Sequence, residues 1–241
     1  MRLDIYLFEN NFAKSRNQAQ EMIKKNLVKV NNKVITKPNF DVNNNDKIEL
    51  INEWKYVSRA GYKLEQAIEY FKINFKDKIV LDIGASTGGF VDCALQNEAK
   101  FVYALDVGVD QLDSSLKDNI KVANIENTNI KDINQIKFNK IDIITCDVSF
   151  ISLKHVFKNI INLIDNDTVM IFLIKPQFEL NSQIIKDNNW CVKNEKDRLK
   201  AINNVKTYAL ENNIKLIEYI ESNIKGAKTQ NIEYLGLFKK I

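Results

Sequence analysis

From residue 58 onward, short apolar runs alternate with segments of helical periodicity, and this alternation limits the fold more than any other feature. The runs are rich in β-branched residues, as buried strands are. Strands are predicted at residues 79–82, 101–105, 141–145, 168–174, 215–220 and 234–238. Helices are predicted at residues 59–71 and near 149–164 and 196–212, and a further helix is predicted after the strand at 79–82. Strands separated by helices are typical of a parallel sheet, so we expect an α/β domain.

The first 51 residues follow a different pattern. Leu3 and Leu7 recur at helical spacing, and Ser15 can cap a second helix that ends near Asn26. Three short strand-like runs follow, at residues 28–30, 34–35 and 47–51. The first 50 residues hold nine Lys/Arg and six Asp/Glu, so they carry +3 of the net charge of +4. This segment therefore predicts a small α+β domain with the basic excess of a phosphate-binding module, or merely a solvated basic face.

Composition excludes several classes of protein. Three Cys without a Cys-x-x-Cys pair argue against a disulfide scaffold or a thiolate zinc site. One His leaves almost no material for a Ser-His-Asp triad or a His-rich metal site, so we expect no metal. The longest apolar run, residues 168–174, is about a third of the ~20 residues that a membrane helix needs. No signal-peptide pattern is evident at the N-terminus, and we expect a cytoplasmic protein without a membrane partner.

A glycine-rich turn follows the strand at residues 79–82, where open α/β sheets bind ligands. Its Gly-x-x-x-Gly-Gly spacing differs from the dinucleotide fingerprint, and it lacks the Gly-Lys-Ser/Thr of a P-loop. Asp106 ends the next strand and can accept hydrogen bonds from both hydroxyls of an adenosine ribose. These features favour S-adenosylmethionine as cofactor over a generic α/β domain with solvated acids. The predicted cofactor residues are Asp82, Gly84, Ala85, Ser86, Gly88, Gly89, Phe90 and Asp106.

Two charged residues stand at neighbouring strand ends. Asp147 comes shortly after the strand at 141–145, and Lys175 comes directly after the most apolar strand and before Pro176. Among 66 charged residues, two such positions mean little by themselves. Their place at the carboxyl edge of a parallel sheet, however, puts both at the expected ligand crevice. We therefore interpret them as candidate catalytic residues.

The first segment resembles the alpha-L RNA-binding domain, which a small-subunit ribosomal protein, pseudouridine synthases and tyrosyl-tRNA synthetases share. The resemblance is carried by Arg2-Leu3-Asp4, Ser15-Arg16, Val28-x-Val30-Asn31 and Asp46-x-Ile48, among other residues. In that family the second helix and its adjoining loop contact structured RNA. The resemblance therefore implies RNA-binding roles for Lys14, Arg16, Lys24 and Lys25.

Five further blocks resemble TlyA-type ribosomal RNA 2'-O-methyltransferases, a family also called hemolysin A. They are Ser58–Leu64, Asp82–Phe90, Asp147–Ile151, Ile174–Glu179 and Lys225-Gly…Asn231–Tyr234. The resemblance implies a Rossmann-like class I S-adenosylmethionine-dependent methyltransferase domain of the FtsJ-like type, preceded by a small α+β RNA-binding domain. It also implies a catalytic tetrad whose lysine either takes the hydroxyl proton or stabilises the alkoxide. The implied tetrad is Lys63, Asp147, Lys175 and Glu233.

The expected organisation is an RNA-binding domain at 1–51, a linker at 52–57 and a methyltransferase domain at 58–241. The expected activity is 2'-O-methylation of a cytidine ribose in ribosomal RNA, with ribosomal RNA or a ribosomal subunit as partner. The chain begins directly at Arg2-Leu3-Asp4, which resembles the short subgroup that modifies 23S rRNA helix 69. Two rival functions remain open: a membrane-active hemolysin, and a ribosome assembly factor that binds without catalysis.

Overall fold

The computed structural model describes residues 1–13, 15–43, 45–51, 55–180, 190–226 and 230–241. Its contacts divide the chain into two compact units, Met1–Ser58 and Arg59–Ile241. Lys14 and residues 52–54 of the predicted linker lie outside the described residues.

The first unit contains two helices and a small antiparallel sheet. Helices α1 (Leu3–Glu9) and α2 (Arg16–Lys24) precede strands β1 (Val28–Val30), β2 (Lys33–Val34) and β3 (Ile48–Leu50). Within the described residues the strand order is β2-β1-β3. The Ser15 side chain accepts a hydrogen bond from the Gln18 amide at 3.2 Å, which confirms the predicted helix cap. The apolar side of α2 is fully buried against α1, and it consists of Ala19, Met22 and Ile23.

The second unit is built on a mostly parallel sheet, which confirms the predicted fold class. Within its described residues the strand order is β6-β5-β4-β7-β8-β10-β9, and only β10 runs in the opposite direction, so that it pairs in antiparallel fashion with both β8 and β9. The strands are β4 (Ile79–Ile83), β5 (Phe101–Leu105), β6 (Val122–Ile125), β7 (Ile143–Cys146), β8 (Val169–Ile174), β9 (Ile214–Glu221) and β10 (Tyr234–Lys240).

Helices connect these strands and cover the sheet. They are α3 (Ala60–Phe71), α4 (Gly89–Gln96), α5 (Ser114–Lys117), α6 (Leu153–Ile160), α7 (Pro176–Glu179) and α8 (Glu195–Leu210), with 3-10 turns at Ile130–Gln135 and Ile161–Leu163. The main core joins the central strands to α6 and α8. At its centre Phe157, Phe172 and Phe238 pack with ring centroids 5.3 to 5.6 Å apart.

Three features differ from the expectations. The sequence pattern missed β6, a short strand at the sheet edge with only partial burial. The helix predicted near 149–164 begins only at Leu153, because residues 147–152 form a loop that Ser152 ends by capping α6. Strand β10 lies between β8 and β9 and runs opposite to β8, so Tyr234 pairs with Ile174. Its start, rather than its end, therefore lies at the carboxyl edge of the parallel strands.

Candidate active site

The glycine-rich turn is shaped by two glycines with left-handed backbone. Gly84 has φ +83°, and a Cβ there would lie 2.9 Å from the carbonyl oxygen of Asp147. Gly88 has φ +91°, and a Cβ there would lie 2.8 Å from a methyl group of Leu112. Other residue types are strained at such φ values, and here they would also collide with neighbours. The turn thus requires glycine at both positions.

Asp106, at the end of β5, holds the same turn. One carboxylate oxygen accepts from the Ser86 amide at 2.7 Å and the other accepts from the Gly108 amide at 2.7 Å. A carboxylate offers about four lone-pair sites, so two remain for the hydroxyls of a ribose. Asp106 therefore orders the loops on both sides of the predicted cofactor site and still fits its predicted role.

Asp82, the last but one residue of β4, is 1 % exposed and lies beneath the turn. One of its oxygens accepts from the Thr145 hydroxyl at 2.7 Å, and the other has no hydrogen-bond partner among the described residues. Burial raises the pKa of Asp82 to about 7; the Thr145 hydrogen bond opposes this shift, and the charges of Asp147 and Asp106 add to it. An unpartnered buried oxygen next to the turn fits a site that receives a polar ligand group.

We expect the Asp82→Asn variant to gain stability over the wild type as pH rises from about 5 to 8. The raised pKa means that the folded chain holds a proton that the unfolded chain releases near pH 4. The contribution of protonated Asp82 to the free energy of unfolding is therefore complete below pH 4 and is lost as pH rises towards 7. The free energy of unfolding, measured with urea at several pH values, should show a variant advantage that grows by a few kcal/mol.

The matched control for this experiment is Asp118→Asn, at an exposed position in the same unit. Glu179 is also buried with a raised pKa, but it is present in all three proteins and cancels in the differences. A constant difference between Asp82→Asn and wild type across this pH range would contradict the burial argument.

Four charged side chains meet at the carboxyl edge of the sheet. Lys63 of α3 donates to Glu233 at 2.6 Å and lies 3.9 Å from Asp147. Lys175, at the end of β8, lies 2.6 Å from the other oxygen of Asp147. The structure thus brings together all four members of the predicted tetrad, Glu233–Lys63–Asp147–Lys175, in one continuous chain of contacts. Two cations and two anions balance each other, as buried charges must.

Asp147 is the centre of this tetrad, with a side chain 16 % exposed. Burial alone would raise its pKa, but the ammonium groups of Lys175 and Lys63 outweigh burial and lower it. Asp147 is therefore a carboxylate at neutral pH, and it holds both lysines through charge-assisted contacts.

The loop at residues 147–152 is fastened to residues 175–179 at both ends. Lys175 donates to the Ser149 hydroxyl at 2.8 Å. Glu179 accepts from the Ser152 hydroxyl at 2.6 Å and from the Leu153 amide at 2.9 Å, at the start of α6. Burial raises the pKa of Glu179 to about 7, although both hydrogen bonds lower it. The sequence pattern assigned no role to Ser149 or Glu179, although both lie within the blocks that carry the family resemblance.

The remaining predicted cofactor residues differ in how far they are buried. Phe90 is buried in α4, which favours core packing over cofactor contact. Ala85 and Gly89 are buried, whereas Ser86 is exposed on the turn. Among the described residues, no group of three His, Cys, Asp or Glu side chains could hold a metal ion. In the same part of the chain, no helix is long and apolar enough to cross a membrane.

The basic residues of the first unit cluster around α2. Lys24 and Lys25 are exposed at its end, whereas Arg16 at its start donates to the buried Asp4 at 3.3 Å. Burial would raise the pKa of Asp4, but hydrogen bonds from Arg2, Gln20 and Arg16 lower it to about 2. Arg16 is therefore held in place by an ionised carboxylate while half of its side chain stays exposed.

Two family patterns match the chain. Residues 1–48 match the S4 domain, which confirms the resemblance found for the first segment. Residues 56–240 match the family described as FtsJ-like methyltransferase, a range that contains the glycine-rich turn and the whole tetrad. This chain belongs to the FtsJ-like methyltransferase family.

Relatives of this FtsJ-like methyltransferase match along nearly all of its length. A protein named Hemolysin A from Brachyspira hyodysenteriae is 42% identical over 99% of both chains. The 23S rRNA (cytidine-2'-O)-methyltransferase TlyA of Campylobacter jejuni is 36% identical over 100% of both. A solved structure described as a hemolysin from Streptococcus thermophilus is 31% identical, with TM-score 0.78, over 100% of this chain and 88% of that one. The matches therefore extend across both units.

Proposed function

We propose that this protein transfers a methyl group from S-adenosylmethionine to the 2'-hydroxyl of a cytidine ribose in ribosomal RNA. The single observation that carries the proposal is the assembled tetrad beside the glycine-rich turn. The four charged side chains are not needed for folding stability, because replacing buried ion pairs by apolar residues is often neutral or stabilising. The close approach of Gly84 in the turn to the backbone carbonyl of Asp147 supports a cofactor site beside the tetrad.

The cofactor, when bound, supplies a methyl group that its sulfonium already activates. The tetrad then has to position the ribose and to meet the proton and the growing negative charge of its oxygen. Lys175 provides the ammonium that stabilises the negative charge on that oxygen while the hydroxyl proton passes to solvent, and Asp147 keeps this ammonium in place at 2.6 Å. Lys63, fixed between Glu233 and Asp147, provides a second cation at the same edge. Glu233 balances that cation and orients the ribose with it.

The proposed substrate is the cytidine in helix 69 of 23S rRNA, the target that the family resemblance implies. Full-length similarity to a relative named as a 23S rRNA (cytidine-2'-O)-methyltransferase supports this choice. The S4 match and the exposed cations of the first unit support an RNA partner. The names of two relatives also contain the word hemolysin, so membrane lysis is an outcome that the test must separate.

The test uses the purified full chain, S-adenosylmethionine with an isotopically labelled methyl group, and large and small ribosomal subunits from cells that lack the protein. We expect one labelled 2'-O-methylcytidine per large subunit, located by nuclease digestion and mass spectrometry. Label in the small subunit alone would contradict the proposed target. Binding to subunits without any methyl transfer would instead indicate an assembly factor, and dye release from lipid vesicles a membrane-active protein.

Replacing Arg16, Lys24 and Lys25 together by Ala should weaken RNA binding and flatten its salt dependence. Each phosphate contact contributes about one unit to the slope of log affinity against log salt, so the slope should fall by up to about three. Binding of helix 69 RNA at several salt concentrations gives the slope. Affinity for S-adenosylmethionine should stay near that of wild type, because its proposed site lies in the other unit.

A matched triple variant removes the same charge from the second unit. Lys193, Lys196 and Lys200 are exposed, and replacing them by Ala should leave the slope nearly unchanged. Equal slopes for the wild type and the α2 variant would mean that the basic residues around α2 form only a solvated face.

A further inference from the structure

The Lys175 ammonium has three N–H donors and two close oxygen neighbours among the described residues. It forms an ion pair with Asp147 at 2.6 Å and donates a hydrogen bond to the Ser149 hydroxyl at 2.8 Å. The ion pair holds the nitrogen in place, and the hydrogen bond to Ser149 fixes the rotation about the last carbon–nitrogen bond and with it the direction of the third N–H. A single contact with Asp147 would leave this rotation free.

Ser149 lies on the loop at residues 147–152, whose backbone conformation is restricted by its contacts. The next residue, Phe150, has φ +65°, a left-handed backbone that is rare for a bulky residue, and its ring is 82 % exposed. That ring lies 5.4 Å from the ring of Phe178, and Glu179 holds the loop two residues further on through Ser152. Strain of this kind persists only where the surroundings impose it, and it is found most often at functional sites.

We infer that Ser149 is a positioning residue for methyl transfer: its hydroxyl aims the third N–H of Lys175 at the substrate oxygen. This inference rests on the proposed function, because Lys175 must act on the ribose oxygen for its aim to matter. Ser149 is exposed whereas Lys175 is buried, so this hydrogen bond links the buried ammonium to a residue that solvent reaches. Asp147 supplies the charge that holds Lys175, and Ser149 supplies the second point that fixes its direction.

The test compares Ser149→Ala, Ser149→Thr and wild type in single-turnover methyl transfer to large ribosomal subunits. Losing one hydrogen bond to a charged group should slow Ser149→Ala by about 10- to 100-fold, with little change in the affinities for subunit and cofactor. Ser149→Thr keeps the hydroxyl at an exposed position and should recover most of the rate. The matched control, Ser114→Ala, removes an exposed hydroxyl from α5 and should be as fast as wild type.

A second measurement reports on how firmly the Lys175 ammonium is held in its orientation, and it does not require catalytic turnover. Acetylation by an amine-directed reagent, followed at Lys175 by mass spectrometry, should be faster in Ser149→Ala than in wild type or Ser149→Thr. This readout applies whether or not the wild type methylates ribosomal RNA, so it separates failure of this inference from failure of the proposed function. The inference is overturned if Ser149→Ala matches wild type in labelling and rate, if Thr is as slow as Ala, or if binding falls as much as the rate.

Discussion

Lys175→Ala should slow single-turnover methyl transfer by about 10²-fold or more, the usual effect of removing one acid–base or oxyanion-stabilising group. Lys175 is buried at the end of β8 and its ammonium contacts Asp147 and Ser149, so the variant removes the cation held at this point. Affinities for ribosomal subunits and for S-adenosylmethionine should change little, because the contact forms mainly in the transition state. Rate and both affinities are measured on the same preparations.

Two further variants show whether charge alone is sufficient at this position. Lys175→Arg should stay slow, since the bulkier guanidinium cannot make both short contacts and direct an N–H to the same point. Lys158→Ala, at an exposed position on α6, is the matched control and should react at the wild-type rate. Lys175→Ala leaves Asp147 with Lys63 at 3.9 Å, so its thermal unfolding has to be recorded beside the rate. A folded variant with a near-normal rate would remove Lys175 from catalysis.

Asp106→Ala should weaken S-adenosylmethionine binding by roughly 30- to 1000-fold, which corresponds to about 2–4 kcal/mol for lost charge-assisted hydrogen bonds. The loss has two physical sources. The ribose hydroxyls lose their acceptor, and the amides of Ser86 and Gly108 lose the carboxylate that orders the turn around the cofactor. Isothermal titration calorimetry on the full chain measures the affinity.

Asp106→Asn shows whether an amide can replace the carboxylate at this position. Its amide keeps one acceptor oxygen but turns an NH₂ group towards one backbone N–H, so it should also bind weakly. Asp118→Ala, at an exposed position, should bind the cofactor as the wild type does. Unchanged affinity in folded Asp106→Ala would refute the assignment of Asp106 to the ribose.

The sequence pattern predicted the strands and helices that local periodicity determines. Strand β5 matches its predicted bounds, and β8 differs from its prediction by one residue, because each is a buried apolar run with clear ends. Strand β6 lacks such a run, since its position at the sheet edge leaves it only partly buried. Strand order and direction depend on pairing between residues far apart in the chain, and no local pattern encodes them.

The tetrad, too, could be predicted from local sequence pattern only in part. Asp147 and Lys175 follow parallel strands, so their meeting at one edge follows from the fold class. Glu233 precedes a strand, and a parallel strand would have placed it at the opposite edge. Only the antiparallel direction of β10 brings Glu233 to Lys63, and for this residue family resemblance supplied what periodicity lacked. Ser149 gave no signal, because an isolated serine is common in loops.

The insertion of β10 between β8 and β9 has a consequence for biosynthesis. During translation the first unit and the strands that bear Asp82, Asp106, Asp147 and Lys175 emerge before residues 233–240. Until these residues have left the ribosome and paired with β8, Lys63 lacks Glu233 and β9 has no strand to join. The proposed tetrad of a nascent chain is therefore complete only once β10 has paired with β8.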